Sequence, residues 1–149
     1  DGHGHAAGDA VLQGVAARLR DRLRAAGLLA RIGGEEFLAV LPDLDRTEAR
    51  AAAERLRAAV ADAPFPLPPA PGPAAAASGP RRAPQALAQT VSIGLVCAAP
   101  RADEAAEPSQ GPAVTALLQR ADDALYRAKA LGRDMVAEAP PSNADEAAA

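Results

Sequence analysis

The chain has 149 residues, a formal net charge of −3 and a single cysteine. This excludes an internal disulfide framework and the basic field that nonspecific nucleic-acid or membrane-surface binding requires. Hydrophobic residues make up 49% of it but aromatics only 2%, so the core of one domain of ordinary size must rest on Leu, Val, Ile and Ala. No apolar run is long enough to span a bilayer and no signal peptide opens the sequence, which predicts a cytoplasmic protein without membrane contact.

Residues 1–9 read as a glycine-rich loop running into a helix, on which Leu12, Val15, Leu19 and Leu23 recur at helical spacing. Asp9 stands where an N-cap or first-turn acid belongs, and Gly27 where a C′ residue belongs. Two apolar runs, 28–30 and 38–41, then flank Arg31-Ile32-Gly33-Gly34-Glu35-Glu36-Phe37. Paired glycines between strand-like segments predict a tight hairpin turn, since glycine tolerates the positive φ that two-residue turns need. Pro42-Asp43 ends the hairpin, and Asp45 with Glu48 predicts a capping box for a second helix with Ala52, Leu56 and Val60 on one stripe.

Residues 63–88 are rich in proline and alanine and predict an extended inserted loop. The run 90–97 is β-rich and predicts a buried strand with an inert Cys97 at its end. After a soft segment over 98–111, a third helix turns Val114, Leu117, Leu118, Ala121, Leu125 and Ala128 inward and closes at Gly132. Met135-Val136 adds a last short strand, and residues 138–149 predict a disordered tail. Strands in a mixed antiparallel arrangement with helices on one side make an α+β sandwich. Its order would be completed by a strand ahead of the first helix, which this sequence does not contain.

Taken alone, the hairpin combines bare backbone, two adjacent carboxylates and a nearby arginine, which suits a metal–phosphate ligand. An exposed turn with solvated acids is the competing reading.

Four motifs in order carry a resemblance. Gly33-Gly34-Glu35-Glu36-Phe37 resembles the GGDEF signature of diguanylate cyclases, in its GGEEF form. Asp1-Gly-His-Gly-His5-Ala-Ala-Gly8-Asp9 resembles the family's Asn-Asp-x-x-Gly-His-x-x-Gly-Asp segment without its leading Asn. Thr90-Val-Ser-Ile-Gly94 resembles its third-strand signature, and the run from Ala121 to Asp134 its last helix, with Asp134 where Asn is usual. The resemblance implies a GGDEF domain over residues 1–137, lacking its N-terminal strand, with a palm-like sheet flanked by helices as in nucleotide cyclases. The reaction implied is condensation of two GTP into cyclic di-GMP and pyrophosphate by a face-to-face homodimer.

For the site, the resemblance implies Glu35 as the acid that ligates Mg²⁺ (or Mn²⁺) and assists hydroxyl deprotonation, with Glu36 as the second motif acid. Gly33 and Gly34 would let the backbone approach GTP, and Asp9 would read the guanine edge, whose N1–H and N2–H₂ are donors to an acceptor-only carboxylate. His5 falls at the Gly-His position near the nucleotide, and Lys129 with Arg133 at the basic pair that reaches the triphosphate. Alternatives stay open at several of these positions. Asp9 doubles as a helix cap, His5 as a loop residue, and Lys129 with Arg133 as a basic turn complementing the helix dipole. Arg31 either touches phosphate or pairs with Glu36.

Two departures from the family pattern bear on function. The family's other metal acid, its Phe-Lys segment and its guanine-reading Asn would lie ahead of Asp1, so the chain alone is expected to be weakly active or inactive. At the product-inhibition site Arg24 is kept and supported by Arg55, but Gly27 stands where the pattern has an acid, so the site is degenerate and weak inhibition is expected. An upstream sensory domain is the expected partner, the chain then being the cytoplasmic part of a larger sensor. The alternative function is a non-catalytic GTP-binding, regulatory or dimerisation module.

Overall fold

In the computed structural model, structure is described for residues 4–23, 25–68, 85–98 and 111–141. The first helix, α1 (Gly4–Arg22), begins earlier than its caps suggest. Ala6 and Ala7 have the strongest helix propensity, and Ala7 is buried, so packing carries the helix back through Gly8. Asp9 therefore lies in the second turn and caps nothing. The other end also falls short of Gly27, because the Leu23 N–H donates to the Arg20 carbonyl (3.2 Å) and tightens the last turn. Gly27 instead leads into the hairpin of β1 (Leu28–Gly33) and β2 (Glu36–Val40).

Helix α2 (Arg46–Ala61) starts as its sequence predicts. The Asp45 carboxylate accepts from the Glu48 N–H (2.8 Å) and the Glu48 carboxylate from the Asp45 N–H (3.1 Å). Such a capping box is worth roughly 1 kcal/mol. The stripe of Ala52, Leu56 and Val60 is buried, and Leu56 and Val60 join Val11, Val15 and Leu19 of α1 and Phe65 in one apolar cluster. Full burial of each large side chain contributes roughly 1.5–3 kcal/mol. Arg18 of α1 ties off the far end of α2. It donates to the carbonyls of Val60 (3.0 Å), Pro64 (3.1 Å) and Ala63, and its guanidinium lies 3.7 Å over the Phe65 ring. The open carbonyls of a helix terminus are thus satisfied from a neighbouring helix.

The inserted segment has a stem that its composition hides. β3 (Phe65–Pro66) pairs antiparallel with β4 (Ala86–Leu87), and the Leu67 N–H donates to the Gln85 carbonyl (2.8 Å). The expected strand over 90–97 shortens to β5 (Ile93–Leu95), and Cys97 is half-buried rather than buried. β5 runs parallel to β6 (Val136–Glu138), with Ile93 opposite Val136, through the crossover helix α3 (Gly111–Ala130). Gly94 is required there: a Cβ would stand 2.1 Å from the Ala121 carbonyl oxygen and 2.5 Å from the Leu125 nitrogen. Among the described residues the strands form three two-stranded sheets, two antiparallel and one parallel, with the helices packed on them in an α+β arrangement.

The apolar stripe of α3 is only partly used. Ala124 and Ala128 are fully buried, whereas Val114 and Leu118, predicted to face inward, are exposed. Three-residue strands span about 10 Å against about 30 Å for a helix of this length, so β5 and β6 cover only the C-terminal part of α3. Among the described residues no helix is long and apolar enough to cross a membrane.

Candidate functional site

The hairpin places its turn one residue later than the glycine pair suggests. Gly33 pairs with Glu36, a register shift lies between Arg31 and Gly33, and the two-residue loop is Gly34-Glu35. Gly34 takes φ +42°, a left-handed conformation that a side chain would disfavour. Glu35 and Glu36 are both exposed, and neither makes a salt bridge with a described residue. Arg31 does not pair with Glu36. Its Nε and Nη2 donate to the Gly34 carbonyl (2.8 and 2.5 Å), wrapping the side chain around the turn.

Behind the tip, a cavity of about 140 Å³ lies between α1 and the hairpin, with Leu12, Ala16 and Arg20 on one wall and Leu29, Arg31 and Phe37 on the other. Arg31 thus touches both the turn and this cavity. No motif singles out Arg20, although its spacing of four and eight residues from Ala16 and Leu12 is the signal that marks it as a lining residue.

The remaining predicted residues are placed but not joined to the tip. Asp9 is exposed in α1, Lys129 is exposed in the last turn of α3, and Arg133 is exposed beyond the helix end rather than sharing its edge. Among the described residues no hydrogen bond or ion pair links any of the three to the hairpin. The backbone of His5 is in α1, and its side chain lies outside what is described. Gly132, at φ +121°, closes α3 as expected, and the Arg133 N–H that follows it donates to the Ala128 carbonyl (3.0 Å).

A second cavity of about 170 Å³ is lined by Arg55, with Arg22, Gly27 and Asp43 among its other walls. Arg24 lies outside the described residues, so Arg55 is the one member of the expected product site whose surroundings are visible.

For a metal, the donor set is chemically apt but partial. Two adjacent, unpaired carboxylates are hard oxygen ligands of the kind Mg²⁺ or Mn²⁺ takes, with water and phosphate oxygens filling the other positions. No group of three or more His, Cys, Asp or Glu among the described residues could cage an ion. The tip therefore fits part of an oxygen shell, with the remaining positions left to other ligands.

Comparison with known proteins agrees with this architecture. The family model described as the GGDEF domain of diguanylate cyclases matches residues 1–135, and the chain belongs to that family. It is 41% identical over 134 residues to the diguanylate cyclase DgcP of Pseudomonas aeruginosa, covering 90% of this chain and 16% of that protein. It is 36% identical over 136 residues to the response regulator PleD of Caulobacter vibrioides, covering 91% of this chain and 25% of that protein. The chain thus spans a quarter or less of either relative. Among solved structures, a GGDEF-only form of TpbB (YfiN) from Pseudomonas aeruginosa superposes with a TM-score of 0.68 at 32% identity, over 92% of this chain and 66% of that one. The GGDEF domain of DgcB from Caulobacter crescentus, solved in complex with c-di-GMP, gives 0.67 at 28% identity, over 91% of this chain and 67% of that one.

Proposed function

We propose that this chain is the catalytic domain of a diguanylate cyclase, condensing two GTP molecules into cyclic di-GMP with release of pyrophosphate in a face-to-face homodimer. The observation that carries the reading is the hairpin tip, where two neighbouring carboxylates stand exposed and unpaired on backbone that Gly34 turns sharply. Phosphoryl transfer asks a protein for cations on the phosphates, in-line placement and a group to take the hydroxyl proton. A bound Mg²⁺ would supply charge neutralisation on the phosphates, held on the protein side by Glu35 and, second, Glu36.

The chain's own residues divide the remaining tasks. Glu35 accepts the proton of the attacking 3′-hydroxyl. Gly33 and Gly34 present bare backbone to the nucleotide, and Lys129 and Arg133 carry positive charge to the triphosphate. Asp9 accepts from the donors on the guanine edge, with His5 at the same end of α1. Arg31 spends its donor fork on the Gly34 carbonyl, so its part is to hold the tip in shape. A reaction that consumes GTP puts the domain in the cytoplasm, as the output module of a longer signalling protein whose sensory part precedes it.

Residues 1–149 alone are expected to turn over GTP slowly, because the described carboxylates make up only one side of a metal shell. Gly27, which stands in place of an acid three residues after Arg24 and lines one cavity with Arg55, is expected to leave product inhibition weak in a longer chain. Micromolar product binding that is lost in Arg24→Ala would reverse that expectation.

The test is GTP turnover with Mg²⁺, with product separated by chromatography, on a longer chain that includes the segment ahead of Asp1, as wild type and as Glu35→Ala. Loss of about 10²-fold or more in the variant, with unchanged thermal unfolding, supports the assignment; equal rates overturn it. GTP binding without turnover in a longer chain would assign the domain to the regulatory modules instead.

A further inference from the structure

Three arginines of α2, at positions 46, 50 and 57, are spaced by four and seven residues and so fall within about 40° of one another on the helix. All three reach the segment that follows α3. Arg46 Nε and Arg50 Nη1 meet the two carboxylate oxygens of Glu138 in β6 at 2.5 and 3.6 Å. Arg57 bridges two acids, with Nε 2.9 Å from Glu54 Oε2 and Nη1 2.6 Å from Asp134 Oδ1. From the other side, Arg127 of α3 donates to the Glu138 carbonyl (3.2 Å). Arg57 is three-quarters buried at its side chain, and its hydrogen bonds to Glu54 and then Asp134 raise its pKa further above the ordinary arginine value.

What this fastening holds is a strained turn. Gly132, Arg133 and Asp134 take φ +121°, +64° and +45° in succession, and only the first is a glycine. The left-handed region brings Cβ against the backbone of an L-residue, and among ordinary residues Asn, Asp and His enter it most readily. Arginine has no such excuse. Strain of this kind persists where the surroundings over-determine it, and among the described residues the side chain that hydrogen-bonds this turn from another element is Arg57, through Asp134. Meanwhile the Arg133 backbone is tied by its N–H to Ala128, and its exposed guanidinium makes no hydrogen bond or ion pair with a described residue. The backbone is fixed and the charge is left free.

We infer that Arg57 is a positioning residue, which by gripping Asp134 holds the left-handed turn in the conformation that presents Arg133 to the triphosphate of the nucleotide. The ligand part of this inference rests on the GTP reading above; the hold on the turn does not.

The experiment compares wild type with Arg57→Met, which keeps the aliphatic stem, Arg57→Lys, which keeps the charge but not the fork, and Asp134→Asn, which keeps a residue at ease in the left-handed region. Arg46→Met serves as a control that removes a neighbouring ion pair from the same helix. Two quantities are read on the 149-residue chain. The first is order at Arg133, from the φ-dependent amide coupling and ¹⁵N relaxation. The second is affinity for GTP with Mg²⁺. Arg57→Met is expected to loosen Arg133 and weaken GTP by about 5–10-fold, to add less than about twofold on an Arg133→Ala background, and to be partly rescued in Arg57→Lys. Asp134→Asn is expected to give the same effects in milder form. Arg46→Met should lower the melting temperature comparably while leaving both readouts unchanged.

An ordered, left-handed Arg133 in Arg57→Met overturns the proposal, as does a loosened turn with unaltered GTP affinity. If wild type binds no GTP, the nucleotide reading fails, and the order of the turn alone decides whether Arg57 governs it.

Discussion

Among the turns of the described residues that hold left-handed positions, the hairpin tip and the turn after α3 are secured in opposite ways. The hairpin tip is held locally: Gly34 supplies the conformation and Arg31, three residues away, wraps its carbonyl. The turn after α3 places two side-chain-bearing residues in the same region and is fastened by Arg57, 77 residues distant in sequence. A locally closed turn can carry chemistry wherever its strands place it. A turn closed by tertiary contact keeps its shape only while the surrounding fold is intact, so its charge is delivered as a property of the whole domain.

Substitutions can break or sharpen this contrast. The largest expected effect is chemical: Glu35→Ala should lower turnover by about 10²-fold or more without shifting thermal unfolding, since the carboxylate is exposed and unpaired. Next, Arg57→Met leaves the Glu54 and Asp134 carboxylates without their shared cation. It should destabilise the domain by about 1–2 kcal/mol in denaturant titration, and no loss of stability would mean the second turn stands without its staple. Gly34→Ala forces a Cβ into φ +42° and should cost about 1 kcal/mol, read by the same titration. Because nothing lies within 4 Å of the Gly34 Cβ position, a larger cost would point to a contact beyond backbone strain. Smallest is Arg31→Gln, on a fully solvated turn, which should move the melting temperature by about 2 °C or less. A larger shift would show that the Arg31 fork holds the tip more firmly than solvated hydrogen bonds do.

The same contrast separates the features that are legible in the amino-acid sequence from those that are not. The hairpin, the Asp45–Glu48 capping box and the close of α3 at Gly132 follow from residues within a few positions of one another, and each is found, the hairpin with its turn one residue later than the glycine pair suggests. The α+β arrangement is likewise legible, from the order of apolar periodicities. The features that escape sequence reasoning depend on distant partners. Packing of Ala7 draws the start of α1 back past Asp9. Short strands leave Val114 and Leu118 of α3 uncovered, and no local rule states how long a neighbouring strand will be. A stem of two strands is hidden in a composition that reads as loop. In the candidate site, the acids and glycines of the tip announce themselves by adjacency. Arg57 and Asp134 have only the spacing of arginines along α2 as a hint, and Asp134 stands out solely as a departure from the family's Asn.

The β3–β4 stem has a consequence in polymer terms. Phe65 is buried under Arg18, and Leu67 is bonded to Gln85, so the two ends of the intervening segment are fixed side by side whatever joins them. Closing a loop between fixed ends costs free energy that rises only with the logarithm of its length, about 0.6 kcal/mol per doubling. Length between the two strands is therefore nearly free to vary, and a peptide spliced in there would leave the hairpin tip and the Arg57 staple as they are.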